Sequence, residues 1–532
     1  MTEHDRPDTL SALLAARASD DAVALFDRER AVSYRGLLDE SARLAAALRA
    51  MGVRRGDRVA IWLPNLAAWL ACFFACARLG AIGLAVNTRF RSAELADILF
   101  RSGARVLVTW PGFDRADFAG VLAGCPPASL AALEAVVAYD EGETAALAGL
   151  PDGIAVRRYA DLLAHPPLAG DDAAPDAGCA IFTTSGTTKA PKFVLHDQRT
   201  LVAHAFDVVQ GFGIDAQSTM LLAPPLCGVF GVSNALAMIA AGRPFAMMPA
   251  WDAAAAARTI DAHRATHMNA TDDAIAQLLA QNDRTPAFPS LRFVGFAAFN
   301  PALGDIVELA DARGLKVLGL YGISEIQALF ARNRDGDPLE LRRNGGGFPV
   351  SPLAQVRARD PESGRVLAHG EDGELEFLAP SSRMVCYFGN PEATREAILE
   401  GGWYRSGDLG HTCADGRFVF RARMGDSLRL GGFLVSPQEI EECVQQAPGI
   451  LDCQVVGATL DGAPRPVAFV RLQTGAALDE AAVIAHVGAR LARFKVPARV
   501  FAVEAFPVTE GSNGTKIQKT RLREMAQALL GT

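Results

Sequence analysis

No long run of Lys or Arg occurs among the 532 residues, and 60 acidic side chains against 52 basic ones leave a formal charge of −8. That balance offers no electrostatic footprint for nucleic acid. No apolar stretch follows the polar start Met1-Thr-Glu-His-Asp-Arg6, which speaks against a secretory leader. The most membrane-like stretch, Leu66 to Ala77, holds twelve apolar residues. At ~1.5 Å per residue such a helix falls well short of a ~30 Å hydrocarbon layer, so it reads as a buried helix and no membrane span is expected. The nine cysteines include no CxxC pair. Neither a zinc site nor a disulfide framework is indicated, and the expected location is the reduced cytoplasm. Internal repeats are absent, and only Ala-rich helices such as the one holding residues 253–257 approach low complexity.

What is present is material for large cores. Half of the residues are hydrophobic, and the length exceeds what one core serves, so two to four domains are expected. Ser41 to Met51 has a helical pattern, with Leu44, Leu48 and Met51 on one face and Gly52 as a C-terminal cap. Val59 to Leu63 and Ala81 to Val86 read as buried strands on either side of the Leu66 helix. Strand–helix–strand order implies parallel sheets with helices on both faces. The Pro-, Gly- and Asp-rich stretch 163–177 reads as a surface linker, followed by a short strand over Cys179 to Thr183. In the last hundred residues Leu428 to Val435 and Cys453 to Ala458 suggest strands. Asp479 is the expected N-cap of a helix reaching Leu491. The fold class expected is α/β: a large N-terminal domain of stacked, parallel-type sheets, and a small mobile C-terminal α/β domain.

The most informative ten residues are Thr183-Thr-Ser-Gly-Thr-Thr-Lys-Ala-Pro-Lys192. Thr184, Ser185, Gly186, Thr187 and Thr188 offer backbone N–H and hydroxyl donors that can converge on an anion, and Gly186 permits close backbone approach. Lys189 and Lys192 add positive charge. The spacing is not that of a Walker loop. Four further segments stand out in order: Tyr321-Gly-Ile-Ser-Glu325, Gly402-Trp-Tyr-Arg-Ser-Gly-Asp408, Arg423-Met-Gly-Asp-Ser-Leu-Arg-Leu-Gly-Gly432, and Asn513-Gly-Thr-Lys516-Ile-Gln-Lys519. Together the five resemble, over nearly the whole chain, the motifs of the adenylate-forming superfamily of acyl-CoA synthetases, luciferases and peptide-synthetase adenylation domains. Phe494-Lys-Val-Pro497 and Pro507-Val-Thr509 fit the same register.

The resemblance implies a ligase that uses ATP, Mg²⁺ and coenzyme A to make an acyl-adenylate and then a thioester. It implies that Tyr321 stacks on adenine, Ser324 contacts the α-phosphate and Glu325 holds Mg²⁺. Asp408 would bind the ribose hydroxyls and Arg423 the ribose or phosphate. Asp426 would be the pivot between residues 1–425, subdivided near 163–177, and residues 426–532. Gly431 and Gly432 would line a pantetheine tunnel, and Lys516 would be the catalytic lysine. Lys189, Phe193, Gly425, Ala297 and Ala298 depart from the usual pattern. So does Gly228, in Pro225-Leu-Cys-Gly-Val-Phe-Gly231, where many relatives carry histidine. That loss, with Phe230, Phe299 and Ala328 as candidate pocket residues, suggests an apolar medium-chain, alicyclic or aromatic acid. A separate carrier protein is the alternative acceptor, a silent nucleotide- or acyl-binding protein is a third reading, and a homodimer is compatible.

Overall fold

The computed structural model describes all residues except 1–5, 20, 142–146, 148, 185–190, 298–302, 304, 362, 425–427, 431–432, 436, 461, 512–513 and 532. Two large sheets dominate it, one of eight strands and one of thirteen.

In the eight-stranded sheet, Arg58–Trp62 lies between Ile82–Ala85 and Val106–Thr109, both parallel to it. These strands are continuous apolar runs because both faces are covered. Gly178–Thr184 adds in parallel beside Ile82–Ala85, so the sheet runs across the stretch 163–177 rather than ending there. Lys192–Asp197 then folds back antiparallel, with Thr184 opposite Lys192. That hairpin brings both ends of the hydroxyl-rich segment together.

Helix Ala67–Arg78 is buried from Ala67 through Ala77, as its composition predicts. Trp69 and Phe73 stack at 5.3 Å inside the main core. Burying each such ring stabilises by roughly 2–3 kcal/mol. Among the described residues no helix is long and apolar enough to cross a membrane. The helix before it runs over Tyr34–Ala50 and starts earlier than its apolar face suggests, because the Ser33 side chain caps it through the Gly36 N–H.

The thirteen-stranded sheet has a parallel centre, in which Met220–Leu222, His267–Thr271, Phe293–Ala297 and Val317–Tyr321 are successive neighbours. Beyond Tyr321 the pairing turns antiparallel through Ala331–Arg332 and Gly346–Pro349 to Phe418–Arg423. The expectation of parallel sheets therefore holds for the centres and not for these margins. The switch brings Tyr404–Thr412 and Phe418–Arg423 beside the C-terminal end of Val317–Tyr321, and in this hairpin Asp408 faces Arg423.

From Leu428 onward the strands of the described residues form three small sheets of their own. Leu428 to Val435 is two strands, Leu428–Leu430 and Phe433–Val435, paired antiparallel, rather than one. Ile450–Leu460 and Ala463–Leu472 form the centre of a second sheet. Helix Glu480–Gly488 is capped by Asp479, as its sequence predicts. Two apolar clusters here contain only residues beyond 427.

Candidate active site

A cavity of about 1430 Å³ opens where the two large sheets and the C-terminal segment meet. Single small-molecule pockets usually reach ~300–1,000 Å³, so it has room for more than one substrate. Thr184, Lys192, Tyr321, Ser324, Glu325 and Asp408 all line it, and so do Gly228, Phe230, Ala297 and Ala328. Five segments far apart in sequence thus contribute to one space. Ser185, Gly186, Thr187, Thr188, Lys189, Ala298, Phe299, Gly425, Asp426, Gly431 and Gly432 lie outside the described residues. For Arg423 and Lys516 only the backbone is described, in strands Phe418–Arg423 and Gly514–Ile517.

Strand Val317–Tyr321 is wholly buried and delivers its last residue to the cavity. Phe377 stacks on the Tyr321 ring at 5.2 Å, and Phe418 meets it edge-on at 5.1 Å. The Tyr321 hydroxyl donates to Asp408 Oδ2 at 2.6 Å, inside a site where Asp408 is only 2% exposed. A buried carboxylate needs such donors to replace its lost hydration. Gly322 follows, and a Cβ there would lie 2.7 Å from Ala328 Cα, so only glycine lets this turn close on itself.

Glu325, in the short 3₁₀ turn Ser324–Ile326, is 6% exposed and accepts a hydrogen bond from Tyr387 at 2.8 Å. Tyr387 also meets the Tyr404 hydroxyl at 3.3 Å. Lys192 Nζ lies 4.5 Å from the centre of the Tyr387 ring. No Lys or Arg among the described residues pairs with Glu325. A buried, cavity-facing carboxylate without a cationic partner fits a hard cation such as Mg²⁺, which binds through one or two carboxylates together with phosphate oxygens. Among the described residues no cluster of three metal-ligating side chains exists, so any such ion would depend on the nucleotide for its remaining oxygens. Tyr387 was not legible in sequence, since it lies 62 residues from Glu325 and no motif contains it.

Gly228 is the N-cap of helix Val229–Ala241. A Cβ at Gly228 would meet nothing nearer than Pro225 O at 3.7 Å, whereas one at Gly231 would lie 2.2 Å from the same oxygen. Gly231 is therefore required by packing, while Gly228 is not, and it lines the cavity together with Phe230 and Ala328. Phe296 belongs to the core behind this wall and is 3% exposed. Phe193 is likewise buried, in the strand after the loop, with Arg101 over its ring at 4.3 Å.

The C-terminal segment closes the cavity with Val435, Glu439, Phe494 and Lys495. Lys495, which sequence marks only as part of a register match, donates to Glu94 at 2.6 Å and to Glu439 at 2.7 Å. Burial opposes the Lys495 charge, but Glu94 and Glu439 outweigh it and raise its pKa.

The family model described as AMP-binding enzyme matches residues 14–388, and that of the AMP-binding enzyme C-terminal domain matches residues 439–512. A sulfoacetate–CoA ligase of Cupriavidus necator is 31% identical, with 98% of each chain covered. A ligase of Mycobacterium tuberculosis that joins a methyl-dioxo-octahydro-indenyl propanoyl group to CoA is also 31% identical, covering 96% of this chain and 97% of its own. The fold matches, at a TM-score of 0.82 and 23% identity, a double mutant of o-succinylbenzoate CoA synthetase from Bacillus subtilis bound with its product analogue. That match covers 96% of this chain and 98% of the other. With both family models matched and relatives of 31% identity covering nearly the whole chain, the chain belongs to the AMP-binding enzyme family and is an AMP-forming carboxylate–CoA ligase that works with ATP, Mg²⁺ and coenzyme A.

Proposed function

We propose that this ligase acts on an apolar acid of medium length, or one bearing an alicyclic or aromatic ring, and passes the acyl group to coenzyme A itself. The observation that carries this reading is that Gly228, Phe230 and Ala328 line one cavity of about 1430 Å³, and that at Gly228 there is no side chain to fill it. A histidine there would place a polar imidazole on that wall, and glycine leaves the wall to Phe230 and Ala328, which suits an apolar acyl group. The bicyclic acid of the mycobacterial relative agrees with such a pocket, and the sulfoacetate of the other relative is the competing chemistry.

A carboxylate is a poor acyl donor because its leaving group would be oxide. The reaction begins with attack of a carboxylate oxygen on the α-phosphorus of ATP, forming one P–O bond as the bond to pyrophosphate breaks. A thiol sulfur then attacks the acyl carbon, AMP departs and the thiol proton passes to solvent. In the first step two anions approach, so catalysis is chiefly positioning and charge stabilisation.

Thr184 and the adjoining Ser185, Gly186, Thr187 and Thr188 supply donors to the phosphates, with Lys192 beside them. Ser324 contacts the α-phosphate. Glu325 would hold the Mg²⁺, whose charge offsets that of the phosphate oxygens. Tyr321, whose ring packs against Phe377, stacks on adenine, and Asp408 binds the ribose. Arg423 contacts ribose or phosphate from the strand paired with Asp408. Lys516 reaches the carboxylate and the α-phosphate, Asp426 is the pivot between residues 1–425 and 426–532, and Gly431 with Gly432 lines the thiol path. Separate sheets and separate cores on either side of the pivot support two units that can move as bodies. Nine unpaired cysteines agree with a reducing cytoplasm.

Pyrophosphate release measured over fatty, branched, alicyclic, aromatic and sulfonated acids, with free CoA and with carrier proteins, tests this reading. Turnover of ring-bearing or medium-chain acids with CoA is expected. Preference for sulfoacetate, or for a carrier over CoA, would overturn it.

A further inference from the structure

The segment Ser324–Leu329 that carries Ser324 and Glu325 is held in an uncommon backbone. Gln327 has φ 61° and ψ 157°, and Leu329 has φ 63°. Residues with a Cβ seldom adopt such angles, and they persist only where the surroundings impose them. Four hydrogen bonds do so. His196 Nε2 meets the Ser324 carbonyl at 2.7 Å, and His204 Nε2 meets the Ala328 carbonyl at 2.7 Å. Gln327 Nε2 donates to the Thr200 carbonyl at 3.0 Å, and the Met384 N–H donates to the Glu325 carbonyl at 2.7 Å.

Three of these four contacts come from a single stretch. His196 lies on strand Lys192–Asp197, and Thr200 and His204 lie on helix Gln198–Gly211, whose N-terminus Asp197 caps. That stretch begins at Lys192, where the hydroxyl-rich segment ends. His196, His204 and Gln327 are each no more than 1% exposed. A carbonyl only accepts, so each imidazole must carry its proton on Nε2 and donate it. Nδ1 of both rings is then a bare lone pair, buried and without a partner among the described residues, and burial pushes His196 down to about 4. Both rings therefore serve as fixed neutral donors rather than as acids or bases.

We propose that His196, supported by His204 and Gln327, is a positioning residue for the first half-reaction. It locks the Ser324–Glu325 turn to the strand that leaves the phosphate loop, so that the two anion- and metal-binding elements are set at one fixed separation. The proposal rests on the phosphate and Mg²⁺ roles of Ser324 and Glu325 given above. A histidine that merely filled the core would support every part of the nucleotide site alike. A clamp supports only the part that contacts phosphate and metal.

Calorimetric titration of the full-length wild type, His196→Leu and His196→Gln with adenosine and with MgATP separates these roles. Outer contacts of a metal site are typically worth about 10- to 100-fold in affinity. MgATP is expected to bind at least about tenfold more weakly to His196→Leu, while adenosine stays within about twofold. The glutamine amide can donate to the same carbonyl, so His196→Gln should recover most of the loss. Equal weakening of both ligands, unchanged MgATP affinity, or no recovery in a folded His196→Gln would overturn the clamp. If His196→Leu does not fold, Gln327→Gly supplies the comparison, with the same selective loss of MgATP affinity expected and its absence decisive against the proposal. A wild type that binds MgATP no better than adenosine would instead remove the assigned roles of Ser324 and Glu325, and the clamp with them.

Discussion

The Lys495 ammonium lies 2.6 Å from the Glu94 carboxylate, joining residues 401 positions apart across the two halves of the chain. Glu94 uses its other oxygen to accept the Arg91 N–H, as part of the cap of helix Ser92–Ser102. Glu94→Gln keeps that cap, because glutamine also accepts there, and removes only the charge. Lys495 keeps Glu439 at 2.7 Å, so the cost should fall below the ~3–5 kcal/mol of leaving a buried charge wholly unpaired. Small-angle scattering should show Glu94→Gln as a more expanded particle than the wild type, with faster proteolysis between the halves. Identical profiles and cleavage rates would show that the bridge does not hold them.

Gly228 and Gly231 make a paired test three residues apart. Gly228→Ala places a methyl 3.7 Å from its nearest neighbour, and Gly231→Ala places one 2.2 Å from Pro225 O. The first should stay within about 1 kcal/mol of wild-type stability while raising KM for bulky ring acids. The second should destabilise by roughly 2 kcal/mol or more. Denaturant midpoints and KM values over one acid series check both.

Lys516→Ala should reduce acid-dependent pyrophosphate exchange by about 10²- to 10³-fold, as removal of an oxyanion-type donor does. Thioester formation from a supplied acyl-adenylate should be spared. Equal loss of both half-reactions would contradict the role given to this lysine.

How much of this was legible in sequence varied with distance along the chain. Tyr321, Ser324 and Glu325 fall within five consecutive residues, and Thr184 to Lys192 is one short stretch of sequence, so both could be read directly. Tyr387 could not, because its bond to Glu325 depends on a strand that joins the eight-stranded sheet at its edge. Lys495 was legible only as a register mark, since its burial arises from a contact with a helix near residue 94. The antiparallel margin beyond Tyr321 was hidden for the same reason: strand order in a sheet is set by pairing between distant segments. Leu428 to Val435 reads as a strand region in sequence, and only the pairing of Leu428–Leu430 with Phe433–Val435 shows it to be two strands.

Acid should weaken the fold through two buried histidines. His196 and His267 are both lowered by burial, from 6.5 to about 4. As pH falls below 6.5 the unfolded chain takes up these protons first, so stability declines until about pH 4 and that loss then levels off. Each ring should cost roughly 2 kcal/mol by pH 5. Urea midpoints at pH 7, 6 and 5 should fall less steeply for His196→Gln than for the wild type, and parallel slopes would refute the assignment.

The central chemical claim is that the acid's own oxygen attacks the α-phosphorus. Turnover with a ring-bearing acid labelled with ¹⁸O in its carboxylate, followed by mass spectrometry of the products, tests it most directly. The predicted result is one labelled oxygen in AMP for each thioester formed, with none in pyrophosphate. Label appearing in inorganic phosphate, with ADP as the nucleotide product, would contradict it.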